Sequence, residues 1–332
     1  MEKVVVVGAG SWGTALGINL AKNGHDIILW EYNKEQAELL KLEKENKKYL
    51  GGVKFPDNIT VVNDVENLLK DAKMVVFSIP SQSLRSVVNK LSNQITSDMI
   101  IVNTGKGIEI SSGLRLSEVI KEEILGKYHK NIVVLSGPTH AEEVALGLPT
   151  TIVAAGNPDT AKKVQEVFNN ESFRVYSNSD IIGVEIGAAV KNCLAIGAGI
   201  ADGMGYGDNT KAALITRGLS EMIRYGKALG ADEKTFSGLT GIGDLIVTCA
   251  SKHSRNRYVG ESLGKGKTME EIMETMIMVA EGVPTVKAVH ESSLKNSVEM
   301  PIVNGIYEII YNKGDAKQIV RDLMSRELKG EF

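Results

Sequence analysis

One lysine stands in a segment that is otherwise built almost entirely from small and apolar residues. The segment VEIGAAVKNCLAIGAGIADG, residues 184–203, carries Lys191 and Asn192 near its middle. The side chains that share a helical face with Lys191 are all small: Gly187, Ala188, Ala195 and Ala198. A lysine at the edge of an apolar face commonly buries its stem and extends its ammonium group into water. Here the small neighbours leave open space around that group, so we expect a buried helix with one polar position and room for a ligand.

Charge and composition narrow the kinds of partner. A lysine at the bilayer centre costs roughly 3 kcal/mol, so Lys191 argues against a membrane span in this segment. The formal net charge of the 332-residue chain is −3, which gives no general attraction to nucleic acids or anionic membranes. The N-terminal apolar run is followed at once by glycines and does not resemble a signal peptide. We therefore predict a cytoplasmic protein with no nucleic-acid partner, in which local Lys and Arg residues hold any anionic ligand.

The first apolar run is followed by a glycine pattern typical of dinucleotide binding. Gly8, Gly10 and Gly13 form GxGxxG between VVVV and a helical sequence. In this context Gly8 makes the tight turn, Gly10 lets the backbone approach a pyrophosphate, and Gly13 lets the helix and strand pack closely. The N-terminus of the helix adds free N–H groups and a partial positive charge. The sequence thus predicts a bound NAD or NADP.

An acidic residue follows the second predicted strand. Glu31 comes 18 residues after Gly13, where a carboxylate accepts hydrogen bonds from the ribose hydroxyls of NAD and repels the additional phosphate of NADP. This position favours NAD. Tyr32 and Lys34 could still accommodate a 2′-phosphate, and Glu31 could also be an ordinary surface residue, so both cofactors stay open.

Three predicted strands end in polar, flexible sequences, where open α/β sheets bind their ligands. The strand at 74–79 leads into PSQSL, the strand at 99–102 into NTGKG, and the strand at 132–135 into SGPTHAEE. Lys106 lies between the two glycines of NTGKG. It is either an ordinary turn lysine or, as we favour, a ligand contact, because the glycines permit close approach of the backbone.

The C-terminal half offers two further polar positions. Asp244 follows a glycine-rich turn in TGIGDLIVT, where it either caps a helix or takes part in a site. Arg255 and Asn256 lie in SRNR, at the predicted start of another helix. Arginine beside a helix N-terminus is well suited to hold a phosphate dianion, although a solvated basic turn is the simpler alternative.

The elements that must position these residues change character near residue 178. Up to that point short, continuously apolar strands alternate with helices, which predicts an N-terminal Rossmann-like, doubly wound parallel sheet over residues 1–178. Within it, residues 38–52 have the pattern of a charged, exposed helix. Beyond SNSD, residues 177–180, helical periods dominate and predict an all-α domain over residues 179–332. We expect its helices at residues 181–200, 210–229, 244–248, 257–263, 269–276, 283–291 and 316–325.

The sequence gives little support for a metal site or for a hydrolytic active site. The five histidines are scattered without metal-ligand spacing, so we predict no metal site. No Cys and His residues have a spacing that would support a nucleophilic Cys–His pair. Cys193 and Cys249 both lie in apolar surroundings, which fits a reducing compartment.

Taken together, these motifs resemble those of the bacterial type of NAD(P)-dependent glycerol-3-phosphate dehydrogenase. The resemblance runs in order from the first strand to about residue 290. It is carried by GAGSWGTAL, NTGKGIE, LSGPTHAEEVALGLPT, EIGAAVKNCLAIGAGIADGMGYGDNTKAALITRGL, TGIGDLIVTC, SRNR and AEGV. The final forty residues are less diagnostic.

The resemblance implies roles for individual residues. Lys191 matches the catalytic proton acceptor, and Lys106 a second active-site lysine that contacts substrate and cofactor; Asp244 is expected to orient Lys191 or bond the substrate. The matching substrate-site positions are Lys106, Gly137, Thr139, Lys191, Asn192, Asp244, Ser254, Arg255 and Asn256. The matching positions around the nucleotide are Gly8, Gly10, Ser11, Trp12, Gly13, Glu31, Tyr32, Tyr49, Lys106, Ala141, Arg255, Val279 and Glu281. At the ribose position the family often has Arg or His where this chain has Glu31 and Tyr32.

The same resemblance implies an activity. The expected reaction is hydride transfer between NAD(P)H and dihydroxyacetone phosphate, which forms glycerol 3-phosphate for phospholipid synthesis. A homodimer is expected, because apolar helical domains often pair. Two alternatives stay open: a dehydrogenase of the same plan acting on a hydroxy acid or 6-phosphogluconate, and a sensor that binds NAD(H) without turnover.

Overall fold

The N-terminal half folds around one eight-stranded sheet. The computed structural model describes residues 1–276, 279–328 and 330–331. The elements up to the middle of the sheet are β1 (Lys3–Val7), α1 (Ser11–Lys22), β2 (Asp26–Trp30), α2 (Lys34–Glu43), β3 (Glu45–Asn46), α3 (Lys47–Leu50), β4 (Gly51–Lys54), β5 (Ile59–Val62) and β6 (Met74–Phe77). The remaining elements of this half are α4 (Leu84–Leu91), β7 (Ile100–Asn103), α5 (Leu116–Glu123), β8 (Ile132–Ser136), α6 (Ala141–Leu146), β9 (Thr150–Gly156), α7 (Pro158–Phe168) and β10 (Phe173–Asn178).

The sheet has the predicted doubly wound character. Its strand order is β10-β9-β8-β7-β6-β1-β2-β5. The chain thus adds β2 and β5 on one side of β1 and then returns to add β6 to β10 on the other side. The central strands are buried on both faces: MVVF of β6 and IIVN of β7 are buried at every position. Helices therefore cover both sides of the sheet, as the continuously apolar strands predicted.

One pairing corrects the prediction of a sheet that is parallel throughout. Strand β9 runs antiparallel to β8, and β10 then runs parallel to β9. The connection from β8 carries only the six-residue helix α6, which ends at Gly147 with φ 76°. A helix of this length spans about 9 Å and does not return the chain along the full length of β8. Apolar composition alone does not specify strand direction, so the sequence pattern missed this.

The predicted helix at residues 38–52 is also wrong in its C-terminal part. Helix α2 ends at Glu43, and Lys44 adopts φ 49°. The chain then forms the small β3–β4 pair around α3. The reason is Asn46, which is fully buried and donates its Nδ2 to the Ala9 carbonyl oxygen at 2.8 Å and to Thr14 Oγ1 at 2.8 Å. This anchor draws α3 over the glycine loop.

The C-terminal half is helical, as predicted. Its helices are α8 (Ile181–Gly203), α9 (Asp208–Ala228), α10 (Asp244–Ala250), α11 (Arg255–Gly264), α12 (Met269–Thr275), α13 (Gly282–Lys295), α14 (Pro301–Tyr311) and α15 (Ala316–Met324). Helix α14 was not predicted, although Pro301 at its start is typical of a helix N-terminus. Strand β5 was missed as well.

Helix α8 is the centre of the helical half. Asp180 caps it by accepting a hydrogen bond from Gly183 N at 2.8 Å. By length and composition α8 could cross a membrane, but 89% of its most apolar stretch is buried inside the protein. It is therefore a core helix. Its backbone touches that of α11, because a Cβ at Gly260 would lie 1.9 Å from the Ile196 carbonyl oxygen.

A buried ion pair joins the two halves. On α8, Glu185 accepts hydrogen bonds from Arg115 Nη1 at 2.6 Å and from Ser117 N at 2.7 Å, at the start of α5. The predicted domain boundary after residue 178 lies at the end of β10. Four residues, 179–182, separate it from Gly183, the first buried residue of α8. The contacts of Glu185 hold α8 against the sheet domain, which positions the residues that follow on the same helix.

Candidate active site

The glycine loop between β1 and α1 has the shape of a phosphate cradle. Gly8 adopts φ 110°, and a Cβ there would lie 2.4 Å from the Ser78 carbonyl oxygen. A Cβ at Gly13 would lie 1.9 Å from the Gly8 carbonyl oxygen, so the helix and the loop are packed as closely as glycine allows. A Cβ at Gly10 would meet no atom within 4 Å. The loop is therefore closely packed against the protein at Gly8 and Gly13 and open at Gly10, where a pyrophosphate would lie. The residues present fit a dinucleotide.

We expect Gly10→Ala and Gly13→Ala to separate nucleotide binding from folding. Alanine at position 13 collides with backbone, so the free energy of unfolding should fall by about 1–3 kcal/mol. Alanine fits the backbone of Gly10, whose φ is −69°, but its Cβ fills the space for the phosphates. The Kd for NADH should then rise about tenfold or more at an unchanged melting temperature. Thermal unfolding and NADH fluorescence titration measure the two effects, and an unchanged Kd for Gly10→Ala would contradict the cradle.

A single cleft of about 420 Å³ runs from this loop to Lys191. Most of the residues that the sequence indicated line it: Gly8, Gly10, Ser11, Trp12, Glu31, Tyr32, Tyr49, Lys106, Thr139, Ala141, Lys191, Asn192, Ser254, Arg255, Asn256, Val279 and Glu281. Gly13, Gly137 and Asp244 are buried behind this lining. Residues from both halves of the chain therefore form one site.

The ammonium group of Lys191 is buried and held by two side chains. Only 4% of the residue is exposed, so it does not extend into water as a snorkelling lysine would. Its Nζ donates to Asp244 Oδ1 at 2.6 Å and to Thr248 Oγ1 at 2.7 Å. Both partners lie on α10, one helical turn apart. Lys191 is thus fixed in the wall of the cleft.

Asp244 joins the two lysines of the site. Its second oxygen, Oδ2, accepts a hydrogen bond from Lys106 Nζ at 2.9 Å. Lys106 also donates to the Gly137 carbonyl oxygen at 2.9 Å, so it is not an ordinary turn lysine. Asp244 is the first residue of α10 and does not cap it through its side chain, which rules out the capping alternative. Asp244 is 0% exposed, and the two lysines occupy both of its carboxylate oxygens.

These contacts set the protonation of the site. Burial lowers the pKa of Lys191 to about 7, with the charge of Lys106 adding to the effect and Asp244 opposing it. Burial acts to raise the pKa of Asp244, but the charges of Lys106 and Lys191 hold it below its usual value. The site therefore combines a permanent carboxylate with a lysine that gains or loses a proton near neutral pH.

A chain of amides links α8, α11 and α13 to Lys106. Asn192 donates its Nδ2 to the Lys106 carbonyl oxygen at 2.9 Å. Its Oδ1 accepts a hydrogen bond from Asn256 Nδ2 at 2.9 Å, and Asn256 Oδ1 accepts one from Gly282 N at 2.9 Å. These bonds engage both ends of Asn192, so it positions Lys106 and Asn256 across the domain boundary.

The start of α11 carries the predicted phosphate anchor. Ser254 caps this helix by accepting a hydrogen bond from Arg257 N at 3.2 Å. Arg255 donates its Nη1 to the Val279 carbonyl oxygen at 2.9 Å. Thr139 lines the same cleft and donates to the Gly137 carbonyl oxygen at 3.3 Å. The N-terminus of α11 and its arginine therefore open onto the space beside Lys191.

Comparison with known proteins identifies the family. Residues 3–162 match the model of the NAD-dependent glycerol-3-phosphate dehydrogenase N-terminus, and residues 180–321 match that of the C-terminus. The chain belongs to this family. This match confirms the resemblance that its motifs indicated, and the protein is an NAD(P)-dependent oxidoreductase.

Individual relatives agree along the whole chain. A glycerol-3-phosphate dehydrogenase [NAD(P)+] from Chlorobium limicola is 50% identical over 329 residues, which cover 99% of each chain. One from Oceanobacillus iheyensis is 49% identical and covers 100% of this chain and 96% of its own. The crystal structure of a glycerol-3-phosphate dehydrogenase from Coxiella burnetii superimposes with a TM-score of 0.93 at 35% identity, covering 98% of this chain and 99% of that one.

One end of the cleft contains Glu31 and Tyr32, the two residues that the sequence predicted at the ribose of the cofactor. Glu31 lines the cleft, and its Oε1 accepts a hydrogen bond from Asn33 N at 2.8 Å. Tyr32 is 78% exposed beside it. One carboxylate oxygen of Glu31 is therefore held at the cleft by the turn after β2, so Glu31 is not a free surface side chain. The other oxygen has no hydrogen-bond partner among the residues that the structure describes.

The cleft is also lined by polar residues that the sequence did not indicate as site residues. Thr248 follows Asp244 by four positions on α10, and that helical spacing was the signal that could have found it. His140 and His253 face each other across the cleft, with ring centroids 5.6 Å apart. Burial and then the charge of Lys191 lower the pKa of His140. Glu142 lines the cleft as well. The two histidines are far apart in sequence, so no local pattern pairs them.

The structure offers no metal cluster within the residues it describes. No group of three His, Cys, Asp or Glu side chains in that part of the chain could hold an ion.

Proposed function

We propose that this protein interconverts dihydroxyacetone phosphate and sn-glycerol 3-phosphate with NAD(H) or NADP(H). The observation that carries this proposal is the Lys191–Asp244–Lys106 group, in which a buried lysine with a pKa of about 7 lies in one cleft with the glycine loop. A reaction that moves a hydride and a proton needs both parts. Family membership supports the choice of substrate.

Lys191 is the proton acceptor in oxidation and the proton donor in reduction. The nicotinamide of NAD(P), when bound, supplies the acceptor or donor of the hydride. Neutral Lys191 takes the proton of the C2 hydroxyl, and protonated Lys191 returns it to the C2 oxygen, where negative charge develops during reduction. Asp244 orients Lys191, and burial together with the positive charge of Lys106 keeps the pKa of Lys191 low. Lys106 also faces the cleft, where it contacts both substrate and cofactor.

Arg255 and the N-terminus of α11 hold the phosphate of the substrate. The guanidinium forms charge-assisted hydrogen bonds with a dianion, and the free N–H groups of the helix add to the attraction. Asn256, Ser254, Asn192, Thr139 and the backbone at Gly137 complete the substrate site. Holding the phosphate fixes C2 opposite Lys191, which lowers the entropic cost of the reaction.

The nucleotide occupies the other end of the cleft. The glycine loop, Ser11 and Trp12 lie at its phosphates, and Trp12 Nε1 is a buried donor without a partner in the described part of the chain. The remaining proposed contacts are Glu31, Tyr32, Tyr49, Lys106, Ala141, Arg255, Val279 and Glu281. Glu31 favours NAD over NADP.

The first test follows the absorbance of NADH and NADPH in separate reactions with purified protein and dihydroxyacetone phosphate. Oxidation of either cofactor supports the proposed reaction. Turnover with 6-phosphogluconate or a hydroxy acid, and none with dihydroxyacetone phosphate, would favour the alternative dehydrogenases. Binding of NADH without hydride transfer to any of these substrates would favour a sensor.

We expect Glu31→Arg to shift the cofactor preference towards NADPH. The change removes a carboxylate that repels the 2′-phosphate and adds a guanidinium that binds it. The ratio of kcat/KM for NADPH to that for NADH should rise about 100-fold, the sum of two charge effects of about 1.4 kcal/mol each. Glu35→Arg, an exposed position in the first turn of α2, is the matched control. An unchanged ratio would show that Glu31 does not face the ribose.

The physiological setting follows from the reaction. In the reducing direction the product is glycerol 3-phosphate, and we propose that the protein supplies it for phospholipid synthesis in the cytoplasm. We also propose a homodimer formed through the helical domain. Size-exclusion chromatography with light scattering measures the oligomeric state directly.

A further inference from the structure

Ser81 connects the two domains at the cleft and has no part in the reaction described above. It follows β6 in the PSQSL turn and is 1% exposed. Its backbone N–H donates to Glu281 Oε1 at 3.2 Å, and its Oγ donates to Glu281 Oε2. The two residues are separated by 200 positions in the chain. The sheet domain thus holds a carboxylate that belongs to the helical domain.

That carboxylate lies close to the phosphate anchor. Burial raises the pKa of Glu281, and the two hydrogen bonds from Ser81 and then the charge of Arg255 oppose this effect. Glu281 and Glu142 in turn attract the Arg255 guanidinium. Arg255 also contacts the segment that carries Glu281, since it donates to the Val279 carbonyl oxygen two residues before Glu281. A buried acid therefore lies within the electrostatic reach of the arginine that must bind an anion.

Such an arrangement is unfavourable for anion binding unless the acid is restrained. An arginine and a free carboxylate pair readily through two parallel hydrogen bonds. A Glu281–Arg255 pair of this kind would occupy the donors of Arg255 and cancel its charge. In the structure Glu281 instead accepts its hydrogen bonds from Ser81. The two donors of Ser81 compete with the arginine for the same oxygens.

We propose that Ser81 is a positioning residue that holds Glu281 away from Arg255 and so keeps Arg255 available for the phosphate of the substrate. This proposal rests on the proposed function, because it takes the substrate to be a phosphate ester. If Ser81 acts in this way, the affinity for phosphate depends on a residue of the sheet domain that contacts neither the phosphate nor Arg255. Ser81 acts only through the charge of Glu281.

The test is a double-mutant cycle between positions 81 and 281. Ser81→Ala should raise the KM for dihydroxyacetone phosphate about tenfold, which is the typical effect of losing one hydrogen bond to a charged group, and change kcat less than about twofold. In a Glu281→Gln background the neutral amide does not pair with Arg255 as a carboxylate does. Adding Ser81→Ala to that background should therefore leave the KM unchanged. Ser81→Thr, which keeps the hydroxyl, should retain the wild-type KM, and Ser83→Ala, an exposed position in the same turn, is the control.

The cycle also distinguishes a merely structural role. If Ser81→Ala raises the KM equally with Glu281 and with Gln at position 281, Ser81 acts on the fold and the proposal is overturned. An unchanged KM in the single variant overturns it as well. Melting temperatures show whether each variant is folded.

Calorimetric titration with inorganic phosphate separates this proposal from the proposed function. If the wild-type protein does not turn over dihydroxyacetone phosphate, the proposed function fails. The proposal for Ser81 still predicts weaker phosphate binding in Ser81→Ala and no such effect when Glu281→Gln is also present. Equal phosphate affinity in wild type and Ser81→Ala would overturn it without reference to turnover.

Discussion

Replacing Lys191 with methionine should reduce kcat about 1,000-fold in both directions, within the range that general acid–base catalysis typically contributes. Methionine has a similar length and fits the small residues around this position, but it neither accepts nor donates the proton. Asp244 keeps its ion pair with Lys106 in the variant, so the fold should remain intact. The Kd for NADH, measured by fluorescence titration, should stay within about twofold of wild type, because the glycine loop is untouched.

The pH dependence of the wild-type enzyme gives an independent readout of the same residue. The pKa of Lys191 is lowered to about 7, so the neutral form that accepts a proton predominates above that pH. The kcat/KM for glycerol 3-phosphate oxidation should therefore rise with pH through about 7. The kcat/KM for dihydroxyacetone phosphate reduction should fall with pH over the same interval, because that direction needs the protonated form. Lys191→Met should lose this inflection.

The control is Lys227→Met, which removes an exposed lysine of α9. Exposed ion pairs contribute little, so its activity should match that of wild type. A Lys191→Met variant that retains more than about a tenth of the wild-type kcat would remove Lys191 from proton transfer, since one tenth is far above the expected residual rate.

Asp244→Asn should lower both stability and activity, because it leaves the buried ammonium group of Lys191 and the half-buried one of Lys106 without a counter-charge. Both oxygens of Asp244 are engaged, at 2.6 Å from Lys191 Nζ and 2.9 Å from Lys106 Nζ. Breaking a buried ion pair of this kind typically costs about 3–5 kcal/mol of unfolding free energy. Denaturant unfolding at pH 7 measures that loss. We expect kcat to fall about 100-fold, because Lys191 loses the group that orients it.

The direction of the pH shift separates the electrostatic effect from a general loss of structure. Asp244 raises the pKa of Lys191 against the effect of burial. Without that charge the pKa of Lys191 should fall further, so the inflection in kcat/KM for oxidation should move to lower pH. Asp208→Asn, at the exposed start of α9, is the control. An inflection that stays at the wild-type pH would mean that Asp244 does not act through Lys191.

Local sequence was sufficient for much of the site. The glycines at positions 8, 10 and 13 predicted a tight strand–turn–helix, because Gly8 adopts a positive φ and Gly13 packs against Gly8, only five residues away. The change from alternating strands and helices to helices alone predicted the two halves, since burial on both faces of a sheet leaves a visible apolar pattern. Lys191 was found because a charged group among small residues conflicts with simple core packing.

Contacts between distant parts of the chain were not predictable in this way. For Asp244 the residue pattern left a helix cap and a site role open, because the sequence does not show that Lys106 and Lys191, 138 and 53 positions away, bring their ammonium groups to its two oxygens. The insertion of Asn46 under the glycine loop and the reversed direction of β9 likewise depend on how the elements pack. An apolar pattern indicates that a strand or helix is buried, but it does not indicate the direction of a strand or the element against which it packs.

The sequence by itself thus determined the nucleotide fold, the family and the residue types of the site. The tertiary structure alone decided which of those residues face the cleft and which stand behind it to orient the others. Asp244 belongs to the second group, and Ser81, whose partner Glu281 is 200 positions away, also stands behind the cleft. The physical reason is that propensities and turn preferences act over a few residues, whereas a buried charge is stabilised only by the donors and acceptors that folding brings to it.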